Sequence, residues 1–108
     1  MTLQVPEWMS QEAVDTLSRG YLWQAETPRG MWERVANNAA RILKREDIAQ
    51  DLLEALWNGY IGLATPVAAN FGTPRGLPIS CYSVHLSDSV QSIYSHLKEV
   101  AALSKNGG

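Results

Sequence analysis

The residue with the most distinctive chemistry in this 108-residue chain is Cys81, its only cysteine. A lone thiol cannot form a disulfide within the chain, so a redox pair would need a second cysteine from elsewhere. Hydroxyl side chains precede it: Ser80 is its direct neighbour, and Thr65 and Thr73 each stand before a proline. Local chemistry leaves two alternatives open for Cys81, a small buried hydrophobic residue on a strand or a redox-active thiol.

The rest of the composition excludes several classes of function. His85 and His96 are far apart in sequence, and no Cys/His cluster has metal-ligand spacing, so we expect no metal site. A net charge of -2 provides no basic field for nucleic acid or an anionic membrane. The sequence contains no apolar run of about 18 residues and no secretory signal pattern, and we therefore expect a cytoplasmic protein.

Capping signals and apolar periodicity predict four helices. Ser10 is suited to cap the first, and Thr27 followed by Pro28 is typical of an N-cap and first helical residue. Asp88 or Ser89 is suited to cap the last. The predicted helices cover residues 11–19, 28–44, 46–58 and 89–106.

Residues 61–76 and 77–86 separate the third predicted helix from the fourth. Prolines and glycines predict an irregular loop over 61–76. Alternating apolar residues then predict a strand over 77–86, with Cys81, Ser83 and His85 on one face. A single strand cannot satisfy its own backbone groups, so we expect that it pairs with another polypeptide or that the chain is part of a larger fold.

Short motifs in a fixed order resemble the large (α) subunit of ribonucleotide reductase. The resemblance extends from about Trp8 to Gly108. The motifs that carry it are Leu17-Ser18-Arg19-Gly20-Tyr21-Leu22, Glu26-Thr27-Pro28, Met31-Trp32-Glu33-Arg34-Val35-Ala36, Ala64-Thr65-Pro66, Gly72-Thr73-Pro74, Ser80-Cys81, Asp88-Ser89 and Ser104-Lys105-Asn106-Gly107-Gly108.

The resemblance implies a mainly α fragment of an α/β protein. Residues 1–76 would be the N-terminal helical region and the loop leading into the reductase barrel. Residues 77–108 would be the first strand and following helix of the ten-stranded α/β barrel, an incomplete domain. The sequences of residues 76–82 and 103–108 are more similar to class I, the ribonucleoside-diphosphate reductases, than to class II.

The implied activity is reduction of ribonucleotides to deoxyribonucleotides for DNA replication, by radical chemistry. Cys81 matches the first of two redox-active cysteines, whose partner lies on a distant strand. The resemblance also places Thr65, Ser80 and Gly108 at the substrate. Hydroxyl groups and closely approaching backbone are suited to bind phosphate oxygens. Turn stabilisation by Thr65 and Thr73 is the alternative for those threonines.

Allosteric control is also implied, because Asp88, Ser89 and Val90 match the site of a deoxynucleotide effector. Simple capping of the fourth helix is the competing interpretation, and one carboxylate can serve both roles. The helix that follows would lie at the interface of an α homodimer.

The implied partners supply what this chain lacks. They are the remaining C-terminal portion of the α subunit, a radical-generating β subunit and a thioredoxin or glutaredoxin-type reductant. The chain itself would bind no cofactor; the radical would come from the separate metal-containing subunit, or from adenosylcobalamin in class II.

The origin of the chain and an alternative function complete the expectations from the sequence. A naturally split gene is the preferred origin over a truncated product or an experimental fragment, and we expect the chain to be inactive alone. The alternative function is a small helical interaction module whose strand extends a partner's sheet.

Overall fold

The computed structural model describes residues 5–108, and these residues form five α-helices and one short 3₁₀ helix but no strand. The 3₁₀ helix is Glu46–Ile48. The α-helices are α1, Gln11–Gly20; α2, Pro28–Leu43; α3, Ala49–Trp57; α4, Thr65–Asn70; and α5, Val90–Lys105.

The first two helices begin where the capping signals predict. The Ser10 hydroxyl accepts a hydrogen bond from the backbone N–H of Ala13 at 3.3 Å, and the Thr27 hydroxyl accepts one from Gly30 at 3.1 Å. Each bond satisfies an N–H group that has no partner within its own helix. At the other end of α2, Lys44 adopts a left-handed conformation with φ of 54°. The predicted starts of α1 and α2 are both confirmed.

Helix α2 is the centre of the apolar core. Its buried Met31, Trp32 and Ala36 pack against residues of α3 and α4. The Trp32 ring lies between two other tryptophans, with centroids 6.0 Å from Trp8 and 5.8 Å from Trp57. The predicted third helix is confirmed in part, because its first turn, residues 46–48, is 3₁₀ and not α.

Helix α4 corrects the prediction of an irregular loop over 61–76. Pro66 stands in the first turn, where its missing N–H costs no hydrogen bond. Ala68 and Ala69 are buried, and small side chains at these positions allow close packing. A six-residue helix is too short to be stable alone, so this one depends on tertiary contacts that local patterns do not encode.

The predicted strand over 77–86 is not formed, and this prediction is wrong for the chain by itself. A strand requires hydrogen bonds to a neighbouring strand, and residues 5–108 provide none. The expected alternation in side-chain exposure is visible over residues 81–84 but does not extend to Ile79 and Leu86, which are 54% and 52% exposed. Cys81 and Ser83 are exposed, whereas Tyr82 and Val84 are half-buried. Within residues 5–108 Cys81 is exposed, and the choice between a buried strand residue and a redox-active thiol stays a prediction.

Helix α5 confirms the fourth predicted helix but buries none of its residues. Ser89 caps it by accepting from the N–H of Ser92 at 3.1 Å. Within residues 5–108, no helix is both long enough and apolar enough to cross a membrane. Large apolar side chains remain exposed along α5, namely Val90, Ile93, Tyr94, Leu97 and Val100.

Candidate functional site

Cys81 and Ser80 share one cavity with the start of α4. The cavity has a volume of about 350 Å³, and we call it the thiol cavity. Thr65 itself is exposed, and the residues on either side of it line the cavity. The fold thus brings together residues that are sixteen positions apart in sequence. The lining residues are Ala64, Pro66, Val67, Pro78, Ile79, Ser80 and Cys81.

Ser80 also lines a second, smaller cavity of about 210 Å³ that extends to Gly108. Its other walls include Tyr82 and Leu103. A Cβ atom added at Gly108 would lie 2.9 Å from the Tyr82 ring and 3.0 Å from the Leu103 carbonyl oxygen. Only glycine therefore allows the backbone to approach Tyr82 this closely. Ser80 links the two cavities, so three of the predicted residues, Ser80, Cys81 and Gly108, lie in one region.

Asn70 joins the end of α4 to the segment that leads to Cys81. Its side-chain amide donates to the carbonyl oxygen of Leu77 at 2.8 Å, and its amide oxygen accepts from Arg75 at 3.2 Å. The Leu77 N–H donates to the carbonyl oxygen of Asn106 at 3.2 Å, just beyond α5. The residues before Cys81 are therefore held from both sides.

Arg75 connects the same region to α1. One guanidinium nitrogen, Nη2, donates to the carbonyl oxygens of Ala69 at 2.6 Å and Tyr21 at 3.2 Å. The guanidinium also lies over the Trp23 ring, 5.5 Å from its centroid. A cation at the carbonyl end of α4 complements the partial negative charge of a helix C-terminus. The sequence does not single out Arg75 or Asn70, because most of their hydrogen-bond partners are backbone carbonyl groups, which have no sequence signature.

Replacing Gly76 by alanine is expected to shift the segment that carries Ser80 and Cys81. Gly76 has a φ of 59°, and an added Cβ would lie 2.7 Å from Nδ2 of Asn70. We expect a loss of about 1 to 2 kcal/mol in the free energy of unfolding, measured by urea denaturation. Gly62→Ala is the matched control, because nothing lies within 4 Å of a Cβ added there. Equal stability of the two variants would contradict the expected shift.

The predicted effector residues lie apart from the cavities. Asp88 and Ser89 immediately precede α5, whereas Gly108 follows it, and a 16-residue helix is about 24 Å long. Val90 is 71% exposed. None of the three lines the thiol cavity or its neighbour. The structure therefore does not bring Asp88, Ser89 and Val90 together with Cys81.

The electrostatic surroundings of the thiol cavity are simple. Its lining side chains carry no formal charge, and Cys81 is a free, exposed cysteine. In the part of the chain that the structure describes, no group of three or more His, Cys, Asp or Glu side chains could hold a metal ion. The chemistry available at this site is that of a thiol and neighbouring hydroxyl groups.

Comparison with known protein families identifies the family of this helical chain. The family described as "Ribonucleotide reductase, all-alpha domain" matches residues 8–76, well over half of the chain. The chain belongs to the ribonucleotide reductase family. It corresponds to the N-terminal, all-helical domain of the reductase α subunit, and α1 to α4 lie within the matched residues.

Individual relatives agree with the assignment to the reductase α subunit. The chain is 37% identical over 101 residues to the ribonucleoside-diphosphate reductase large chain of Schizosaccharomyces pombe. It is 35% identical over 104 residues to the large subunit of Arabidopsis thaliana. Each alignment covers 86% of this chain and 12% of the relative. The chain thus spans about an eighth of the length of these large subunits.

A solved structure is similar beyond the all-helical domain. The α subunit of the class Id ribonucleotide reductase of Actinobacillus ureae superimposes with a TM-score of 0.87 at 35% sequence identity. The match covers 94% of this chain and 20% of that subunit. Because 94% exceeds the share taken up by residues 8–76, the similarity includes much of the segment that carries Cys81 and α5.

Proposed function

We propose that this chain supplies the helical region and the first strand and helix of the barrel of a ribonucleotide reductase α subunit, and that it works only with the rest of that subunit. The observation that carries the proposal is the thiol cavity, where Ser80 and Cys81 face the start of α4. The family assignment supports the reaction class, and the exposure of Cys81 supports access by a substrate and by a second thiol.

In this proposal Cys81 is one half of a redox-active pair whose other cysteine lies in the remainder of the subunit. A thiyl radical on a third cysteine removes the hydrogen from the ribose 3′ carbon and later returns it. The 2′ hydroxyl leaves as water, and the two thiols together supply two electrons and two protons as they become a disulfide. The balance is one ribonucleotide and two thiols giving one deoxyribonucleotide, one disulfide and one water.

Two external components complete the cycle. A separate radical-generating β subunit with a metal centre, or adenosylcobalamin in a class II enzyme, supplies the initial radical. A thioredoxin or glutaredoxin-type reductant reopens the disulfide by thiol–disulfide exchange, which requires that a sulfur of the pair be accessible. The exposed position of Cys81 is compatible with that exchange.

The substrate contacts proposed for this chain are Thr65, Ser80 and Gly108. Hydroxyl groups donate hydrogen bonds to phosphate oxygens without carrying charge, and a glycine lets backbone approach a ligand closely. Thr65 and Ser80 are both exposed beside the thiol cavity. Gly108 and Ser80 both line the second cavity.

A deoxynucleotide effector is proposed to bind at Asp88, Ser89 and Val90, at the far end of α5. The hydroxyl of Ser89 already caps the helix, so the Asp88 carboxylate is the group proposed to accept from the effector ribose. The exposed apolar residues of α5 support the proposal that this helix contributes to an α homodimer.

Residues 77–86 are proposed to become the first strand when the rest of the barrel is present. Over residues 81–84, exposed and half-buried side chains alternate with the period of two that a strand requires. A neighbouring strand would supply the hydrogen bonds that this segment lacks in residues 5–108.

The first test is to purify this chain from its host under reducing conditions and to identify by mass spectrometry what accompanies it. We expect a chain that supplies the rest of the barrel, and ribonucleotide reduction by the complex but not by this chain alone. A complex without reductase activity under radical-generating conditions would contradict the proposal. It would favour the interaction-module function, for which the exposed apolar residues of α5 are the supporting observation.

A further inference from the structure

The Tyr21 side chain reaches the proposed substrate residue Thr65 across the fold. Its hydroxyl lies 3.1 Å from Oγ1 of Thr65, and the two residues are 44 positions apart in sequence. Tyr21 caps the C-terminal end of α1, whereas Thr65 is the first residue of α4. The contact therefore connects the first helix to the edge of the thiol cavity.

Tyr21 is held in place by backbone hydrogen bonds and by packing of its ring. Its backbone N–H donates to the carbonyl oxygen of Leu17 at 2.9 Å, and its own carbonyl oxygen accepts from Arg75 at 3.2 Å. Its ring is half-buried and packs against the apolar core. Thr65, in contrast, is exposed, so its hydroxyl would otherwise rotate freely among water partners.

The donor and acceptor capacities of the two hydroxyls suggest a role for the contact. A threonine hydroxyl has one proton to donate and two lone pairs that accept, and a phosphate oxygen can only accept. If Tyr21 donates to Oγ1 of Thr65, the single Thr65 proton is left free and directed away from Tyr21. The same bond fixes the rotamer of the Thr65 side chain.

We propose that Tyr21 is a positioning residue that donates to Oγ1 of Thr65 and so presents the Thr65 proton to a phosphate oxygen of the ribonucleotide substrate. This inference rests on the proposed function, because it assumes that Thr65 binds substrate. Tyr21 itself does not touch the substrate in this proposal. Its effect on binding therefore passes entirely through Thr65.

The test measures KM and kcat for a ribonucleoside diphosphate, using this chain assembled with the rest of its subunit and the radical-generating subunit. The variants are Tyr21→Phe, Thr65→Val and the double variant. We expect Tyr21→Phe to raise KM about fivefold with kcat unchanged, because the freed Thr65 side chain must then be ordered when the substrate binds. Thr65→Val should raise KM about thirtyfold, because a bond to a charged group is lost.

The double variant distinguishes a positioning role from an independent one. We expect its KM to equal that of Thr65→Val, because Tyr21 has nothing to position once the Thr65 hydroxyl is gone. Tyr60→Phe is the matched control, since that tyrosine is 83% exposed, and its KM should equal that of the unmodified enzyme. If the factor by which the double variant raises KM equals the product of the two single-variant factors, the two residues act independently and the inference is overturned.

The remaining outcomes separate this inference from the proposed function. An unchanged KM in Tyr21→Phe together with a raised KM in Thr65→Val overturns the positioning role and leaves the substrate role of Thr65 intact. An unchanged KM in Thr65→Val overturns the substrate role itself, and the inference with it. A lowered melting temperature in Tyr21→Phe, with unchanged KM, would assign the contact to stability alone.

Discussion

Replacing Cys81 by serine is expected to abolish repeated ribonucleotide reduction by the assembled enzyme. Serine has nearly the same shape as cysteine, but its hydroxyl cannot form a disulfide or take part in thiol–disulfide exchange. The two electrons that each product molecule requires are then no longer delivered from this position. The measurement is deoxyribonucleotide formed per active site over many turnovers, with a thioredoxin-type reductant present. We expect no more product than in a reaction without enzyme.

Ser83→Ala is the matched control for this experiment. Ser83 is exposed like Cys81 and lies two residues further along the same segment. Its variant should turn over at the rate of the unmodified enzyme, because a surface substitution of this kind changes stability by at most about 0.5 kcal/mol. Sustained turnover by Cys81→Ser at that same rate would contradict the redox role and favour the interaction module.

Replacing Arg34 by methionine is expected to lower the free energy of unfolding by about 3 kcal/mol. The Arg34 guanidinium pairs with both carboxylate oxygens of Glu26, at 2.9 and 3.1 Å. The two side chains are only 10% and 13% exposed, so the variant leaves the Glu26 carboxylate largely buried without a counterion. Arg34 also donates to the carbonyl oxygens of Ala68, at 2.8 Å, and Phe71. Both α4 and its junction with α2 lose stability.

Urea denaturation followed by circular dichroism measures the Arg34→Met effect. Arg41→Met is the control, because Arg41 lies on the same helix but is exposed, and we expect a change below about 0.5 kcal/mol. Adding Glu26→Gln to Arg34→Met should restore part of the loss, since it removes the unpaired charge. If Arg34→Met and Arg41→Met were equally stable, the Glu26 pair would contribute nothing to the fold.

The predicted helix boundaries succeeded where the signal is local. Ser10, Thr27 and Ser89 each cap a helix through a bond to an N–H three residues ahead, and such bonds depend only on nearby residues. The missed helix α4 has no side-chain cap at its first end, and its carbonyl end is satisfied by Arg34 and Arg75. Arg34 belongs to a distant segment and Arg75 to a later turn, so no local sequence pattern predicts these hydrogen bonds.

The predicted site is only partly assembled by the fold. Ser80, Cys81 and Gly108 lie around two adjoining cavities, and Thr65 lies at the edge of the thiol cavity. The network that supports them was not predictable, because Tyr21 and Arg75 resemble any half-buried aromatic residue or loop cation in the sequence. Only the folded chain shows that the Tyr21 hydroxyl meets Thr65.

The sequence by itself determined the helices that carry their own caps, the family to which the chain belongs and the position of its single thiol. These features depend on residue type and spacing, which do not change when the chain folds. Tertiary structure decided whether α4 forms, which carbonyl groups Arg34 and Arg75 hold, and how exposed Cys81 is. It also decided that residues 77–86 form no strand here, because strand pairing needs a partner from elsewhere in space.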